Sequence, residues 1–329
     1  MKEISVRRRI IGITVIVIGC CFVLYPIIGN IINAVRQNSV QTEYNSKVLT
    51  LDDISKETIK SNADDYNKRL ASGDLDLIST DEDSIGEDYD DGSGYKDALD
   101  VGSDAIAFIS IPKIDVKLPI YRGTNTATLE KGVGHLRNTS LPVGGESTHC
   151  VLTGHTGLPS SVLFSDISKL VEGDLFYIQY LDEIHAYQVD MTKVIEPDDS
   201  SDLGITEGKD YVTLLTCYPY GINSHRLIVR GERVPYDGRL DFDDSGKVTS
   251  VSESKVKESN DEPVAISEKS DIFDDFMNNS VKVSVYGMNV PLTPAIIAVS
   301  AAAALLAALV LATIVKLIKK PLIKSRPSD

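Results

Sequence analysis

Basic residues are in short supply in this chain: 33 Lys and Arg stand against 48 Asp and Glu, for a formal net charge of −15 over 329 residues. The shortage is sharper than the total suggests. Lys2, Arg7, Arg8 and Arg9 gather at one end beside Glu3, and Lys316, Lys319, Lys320, Lys324 and Arg326 at the other beside Asp329, so the ends carry +3 and +4 and leave −22 for everything between. A surface that acidic excludes a nucleic-acid binder, whose affinity comes from cationic contacts to phosphates. Cysteine is scarce as well. Cys20 and Cys21 sit in an apolar run, and the two thiols left outside it, Cys150 and Cys217, stand 67 residues apart in different local contexts. Nothing there indicates a disulfide framework. The acids lack the D-x-[DN]-x-[DN]-G spacing of a calcium loop, and no metal or other cofactor is called for.

Charge is missing altogether from Ile10 to Val35 and from Ala295 to Val315. A bilayer core about 30 Å thick needs about 20 such residues in a helix, so both runs are long enough to span. Arg7 to Arg9 would also suit the head of a cleaved signal peptide. However, the first run exceeds the roughly 7 to 15 apolar residues of such peptides and no A-x-A site follows it. An uncleaved anchor is the expectation. Basic residues mark the cytoplasmic ends of spans, and here they precede the first run and follow the second. Both termini are then expected in the cytoplasm, with two spans holding the stretch from about Gln37 to Met288 outside the cell.

Within that stretch, Tyr44, Val48, Leu51, Ile54 and Ile59 recur at roughly helical spacing between Val40 and Leu70. Asp74 to Asp91 then holds nine acids and no base, with Gly86, Gly92 and Gly94 breaking any period, and is expected to be exposed and flexible. From Ala105 short apolar or alternating runs recur between Gly, Pro, Asn and Asp: 106–111, 118–121, 148–153, 175–180, 184–194, 211–216 and 227–229. That spacing predicts an all-β barrel or sandwich, with helical pattern confined to a stretch such as Ser161 to Leu170. The expected parts are a basic tip and anchor (1–36), a helical and acidic segment (37–104), a compact β domain (105–235), an acidic stalk (236–288), a C-terminal transmembrane helix (289–315) and a basic cytoplasmic tail (316–329).

Chemistry concentrates near the end of the β domain. Thr213-Leu-Leu-Thr-Cys217 closes a strand, and Tyr218-Pro-Tyr-Gly221 must turn. A thiol there can be exposed while its backbone is fixed, which suits a nucleophile; a small buried hydrophobe is the other reading that fits the local pattern. A nucleophilic thiol needs a partner, because its ordinary pKa near 8.5 leaves it mostly protonated at neutral pH. Of the five histidines, His155 stands out, bracketed by Gly154 and Gly157 directly after a strand. His185 lies in an alternating strand facing solvent, and His225 adjoins a strand start. Attack on an amide also develops an oxyanion. Arg226 follows Cys217 by nine residues, so a hairpin would set it beside the thiol; an ion pair with one of the many acids is the alternative reading for it.

At these residues the chain resembles a sortase, and more narrowly a class C, pilin-polymerising sortase of Gram-positive bacteria. Thr213-Leu-Leu-Thr-Cys217 with Arg226 beyond it is similar to the family's TLxTC signature and following arginine. Val151-Leu-Thr-Gly-His155-Thr-Gly-Leu-Pro159 resembles its histidine motif, and Ile111-Pro-Lys-Ile-Asp115 and Leu118-Pro-Ile-Tyr-Arg-Gly-Thr124 its early strands. The resemblance runs from about Ala105 to Val234. It implies an eight-stranded β-barrel with short helices and a monomeric catalytic domain. Cys217 would be the nucleophile, His155 the acid and base, and Arg226 the stabiliser of oxyanion or substrate. It also implies cleavage of LPxTG-type sorting signals between Thr and Gly, a thioester, and transfer to a lysine amine of a pilin. Class C members carry an Asp-Pro-aromatic lid before the barrel, whereas this sequence has no Asp-Pro. Asp88-Tyr89 is the nearest substitute for it.

Two other functions remain to be separated from this one. A housekeeping sortase would attach surface proteins to peptidoglycan with the same chemistry. An anchored adhesin would need LPxTG before its last span, and Val290-Pro-Leu-Thr-Pro294 does not supply it.

Overall fold

The computed structural model describes residues 2–74, 94–158, 161–242, 248–253, 282–285, 288–291 and 299. They fall into two compact units, one of residues 35–280 and one of residues 1–34 with 281–329. In the second of these, the first part of helix α1 (Lys2–Thr50) carries the charge-free run. Asn30 donates its side-chain amide to the Pro26 carbonyl at 2.9 Å. Among the described residues α1 is the one helix long and apolar enough to cross a membrane. The same unit holds a hairpin of β10 (Lys282–Val285) and β11 (Met288–Pro291). The expected second span lies outside the described residues, Val299 excepted.

The larger unit is a closed barrel with helices against it. Its strands are β1 (Ala105–Ile111), β2 (Val116–Arg122), β3 (Val133–His135), β4 (Thr148–Thr153), β5 (Leu175–Tyr180), β6 (Glu183–Ile195), β7 (Asp210–Tyr218) and β8 (His225–Phe242). They follow the order β6-β5-β1-β2-β3-β4-β7-β8, and β8 pairs back onto β6 to close eight strands. The β2–β3 and β4–β7 pairs are parallel and the others antiparallel. A six-residue helix α3 (Thr126–Lys131), capped by Asn125, makes the short crossover from β2 to β3.

Sequence pattern and burial agree strand by strand. In β7, Val212 and Leu214 enter the core, so the two-residue period turns Thr213, Leu215 and Cys217 to the opposite face. All seven residues of β1 are buried, which requires cover on both faces. The lower part of α1 supplies the second: the Tyr44 ring meets Phe108 edge-on at 5.2 Å, and its hydroxyl donates to the Ile106 carbonyl and accepts from the Leu181 amide at 2.8 Å. Helix α2 (Asp53–Ser72) starts on the Asp52 cap and ends at Gly73 in the left-handed region, φ 76°. Asn67 accepts from the Leu141 amide at 2.7 Å and donates to its carbonyl, while Lys60 pairs with Glu183. The segment whose residues recur at helical spacing between Val40 and Leu70 is thus part of the barrel's packing.

The sheet also runs past the edge expected at residue 235. Tyr236 is buried with its ring edge-on to Tyr177, and β8 continues to Phe242, where β9 (Val248–Glu253) pairs with it. The alternation Arg239-Leu240-Asp241-Phe242 against Val248 and Val251 is a strand signal inside what composition alone assigns to a stalk.

His135 in β3 is fully buried. Its Nε2 lies 2.9 Å from the Ser140 carbonyl, an acceptor only, so Nε2 carries the proton and Nδ1 accepts from the Tyr95 hydroxyl at 2.8 Å. Burial pushes its pKa down to about 4. The unfolded chain takes up this proton near pH 6.5 and the folded one does not. Stability from this site is therefore complete above pH 6.5 and falls as pH drops toward 4, by about 2 kcal/mol at pH 5. In thermal melts at about pH 7.5 and pH 5, His135→Gln should narrow the gap between the two; an unchanged gap would exclude this account.

Candidate active site

Two ladders bring the residues singled out in the sequence to one end of the barrel. In the antiparallel β7–β8 pair, Cys217 stands directly opposite Arg226, which puts both side chains on one face. In the parallel β4–β7 pair the register runs from Thr148 opposite Asp210 to Thr153 opposite Leu215. Two bonds extend it beyond the strand end: the Gly154 amide donates to the Leu215 carbonyl at 3.1 Å, and the Thr216 hydroxyl donates to the Gly154 carbonyl at 2.6 Å. Carried two residues on, this register sets His155 level with Cys217. Two ladders thus set Arg226 opposite Cys217 and bring the loop that carries His155 to the same end of the barrel. Cys217, His155 and Arg226 are each half-buried.

Local structure holds each group. Past a cis Tyr218–Pro219 bond, the amides of Ile222 and Asn223 both donate to the Pro219 carbonyl, at 3.1 and 2.9 Å, making a tight turn. Gly221 (φ 77°) and Asn223 (φ 60°) take the left-handed positions such a turn needs, residue types that tolerate them. Gly154 has no room for a side chain: an added Cβ would lie 2.7 Å from the Phe164 ring. The Arg226 Nη1 donates to the His225 carbonyl at 3.1 Å. Among the described residues no carboxylate lies within ion-pair distance of Arg226, whereas Arg230 is clamped by both oxygens of Asp190. The ion-pair reading therefore fits Arg230, and among the described residues Arg226 has no such partner.

The other candidates are accounted for. His149 is held between the Gly204 carbonyl and the Thr213 hydroxyl, and His225 between Ser224 and Glu196. His185 is not a solvent-facing strand residue. Its side chain is 12% exposed, faces the Tyr180 ring edge-on and lies 3.7 Å from Glu183, which itself pairs with Lys60 of α2. His155 alone of the five has both ring nitrogens without a partner among the described residues. Cys150 is fully buried and burial pushes its thiol pKa up, the mark of an inert core cysteine. Asp88 and Tyr89 lie outside the described residues. Among the described residues no group of three His, Cys, Asp or Glu is arranged to hold a metal.

This arrangement has known counterparts. The sortase domain family matches residues 109–234. Sortase D of Bacillus subtilis is 32% identical over 155 residues, 43% of this chain and 75% of that protein. Among solved structures, sortase C1 of Streptococcus agalactiae is 43% identical with a TM-score of 0.53, covering 59% of this chain and 96% of that one. The sortase C1 of GBS pilus island 1 is 42% identical with a TM-score of 0.55, covering 61% and 93%. The barrel with its strand order, and identity sustained over nearly the whole of those structures, place the chain in the sortase family of cysteine transpeptidases, alongside its class C members.

Proposed function

We propose that this enzyme is a pilus-assembling sortase that cuts LPxTG-type sorting signals between Thr and Gly and joins the Thr to a pilin lysine. The register that sets Arg226 opposite Cys217 and His155 level with it carries the reading. The Cys217 thiolate attacks the Thr carbonyl carbon, and the Arg226 guanidinium stabilises the oxyanion. As the intermediate collapses, the Thr–Gly C–N bond breaks and His155 gives its proton to the departing Gly amine. What remains is a thioester, and peptide beyond the cut is released. A lysine amine then attacks the thioester carbonyl and His155 takes its proton. The sulfur leaves as thiolate, and one hard amide exchange has become two easier steps. Likeness to a pilus-island sortase and the charge-free runs at both ends support assembly work at the membrane, with both termini cytoplasmic and residues 105–235 outside.

Arg226→Lys keeps the charge but loses the fork of donors, and is expected to lower kcat about 100-fold with KM changed far less. A raised KM with kcat unchanged would assign Arg226 to substrate binding instead. The reading is tested by offering the full-length protein in detergent an LPxTG peptide with two acceptors, a lysine-bearing pilin peptide and a peptidoglycan cross-bridge peptide. Joining to the lysine side chain is the expected product; joining to the cross-bridge peptide alone would make this a housekeeping sortase.

A further inference from the structure

The imidazole of His155 has no hydrogen-bond partner among the described residues, so nothing there plays the orienting part that a carboxylate plays behind many catalytic histidines. Among the described residues its placement comes from the loop that carries it. That loop is clamped from behind by its own chain: the Phe164 amide donates to the His155 carbonyl at 3.1 Å, and the Gly157 amide donates to the Ser165 hydroxyl at 3.0 Å. Its front is met by a residue of the other loop. A Cβ added to Gly157 would lie 2.9 Å from Cε2 of Tyr220 and 3.3 Å from Cζ, so the Tyr220 ring rests on the bare glycine backbone. Gly157 itself sits at φ +80°, a conformation that L side chains rarely adopt. Both requirements at position 157 can be met only by glycine. Tyr220 follows Cys217 by three residues, and Gly157 follows His155 by two. One exposed ring, 69% accessible, therefore spans the two loops that hold the reacting groups.

We infer that Tyr220 is a positioning residue, which acts through Gly157 to hold His155 against Cys217. The inference rests on the assignment of His155 and Cys217 in the proposed mechanism. A ring so exposed contributes little to the core, so its loss leaves the fold intact while loosening the histidine loop. A displacement on the order of 1 Å is enough to cost a proton transfer much of its rate.

The test uses the full-length protein in detergent with Tyr220→Ala, Tyr220→Phe, Gly157→Ala and His155→Ala. Two readouts are compared: kcat and KM with an LPxTG peptide, and the pH profile of Cys217 alkylation by iodoacetamide, which needs no peptide. Tyr220→Ala should lower kcat about tenfold and leave KM within about twofold, since the contact serves chemistry rather than binding. Its alkylation profile should move toward that of His155→Ala. Tyr220→Phe keeps the ring and should restore both readouts. Gly157→Ala should reproduce the loss, and the double variant Gly157→Ala with Tyr220→Ala should be no worse than the poorer single, as for residues acting through one contact. An unchanged kcat and profile in Tyr220→Ala, or a rise in KM alone, would overturn the inference. If the wild type shows no peptide turnover, the substrate reading has failed. The alkylation profiles of Tyr220→Ala and His155→Ala still decide the positioning role, upholding it if they shift together and refuting it if only the second shifts.

Discussion

Cys217→Ala is expected to lower kcat/KM for sorting-signal peptide by about 10⁴-fold or more, to the limit of detection by chromatography of the cleaved product. The size follows from the intermediate. Without the sulfur there is no thioester, and no other thiol can take its place: Cys150 is buried in the core with a raised pKa, and Cys20 and Cys21 belong to α1. Cys217→Ser keeps the shape but offers a hydroxyl, which is scarcely ionised at neutral pH and needs a stronger base than a lone imidazole. It should sit near the alanine variant rather than near the wild type. Residual cleavage above about one per cent in the alanine variant would mean that another group attacks the peptide.

His155→Ala is expected to cost about 10³-fold in kcat/KM, the range of a positioned acid and base. None of the other four histidines can substitute for it. His135, His149 and His225 are hydrogen-bonded in place, and His185 is half-buried beside Glu183. Substrate chemistry sharpens this prediction. The departing Gly amine needs a proton, whereas a phenol leaving from an aryl ester does not. With an ester at the Thr–Gly position the penalty of His155→Ala should therefore shrink by about tenfold or more. An equal penalty on amide and ester would assign His155 to activating the thiol alone.

How much of this could be read in the sequence differs from part to part. Strands β4 and β5 fall on the expected residues, because short alternating runs bounded by turn residues identify themselves locally. The Cys217–Arg226 pair was also legible: a hairpin whose ends lie nine positions apart has few registers, and the one found sets the two opposite. His155 was legible only as a motif. What brings its loop to the end of the barrel where Cys217 lies is a parallel pairing between distant strands, and local pattern holds no record of such a partner. Strand β3 has three residues and α3 six, too few for any period to show. Tyr44 and Val48 showed part of a helical face, but the β1 residue Phe108 that meets Tyr44 lies far along the chain. Gly157 was noted as a bracket for His155. That its missing Cβ makes room for Tyr220 emerges only when the two loops meet.

The central claim is that Cys217 holds the substrate's acyl chain as a thioester on the way to the lysine amine. Mass spectrometry of the intact protein after incubation with an LPxTG peptide, quenched in acid without any acceptor amine, tests it most directly. The account predicts a mass gain equal to the peptide up to and including Thr, located on the Cys217 fragment, absent in Cys217→Ala and released by hydroxylamine. The absence of any adduct across varied LPxTG-type peptides, or an adduct that persists in Cys217→Ala, would contradict it.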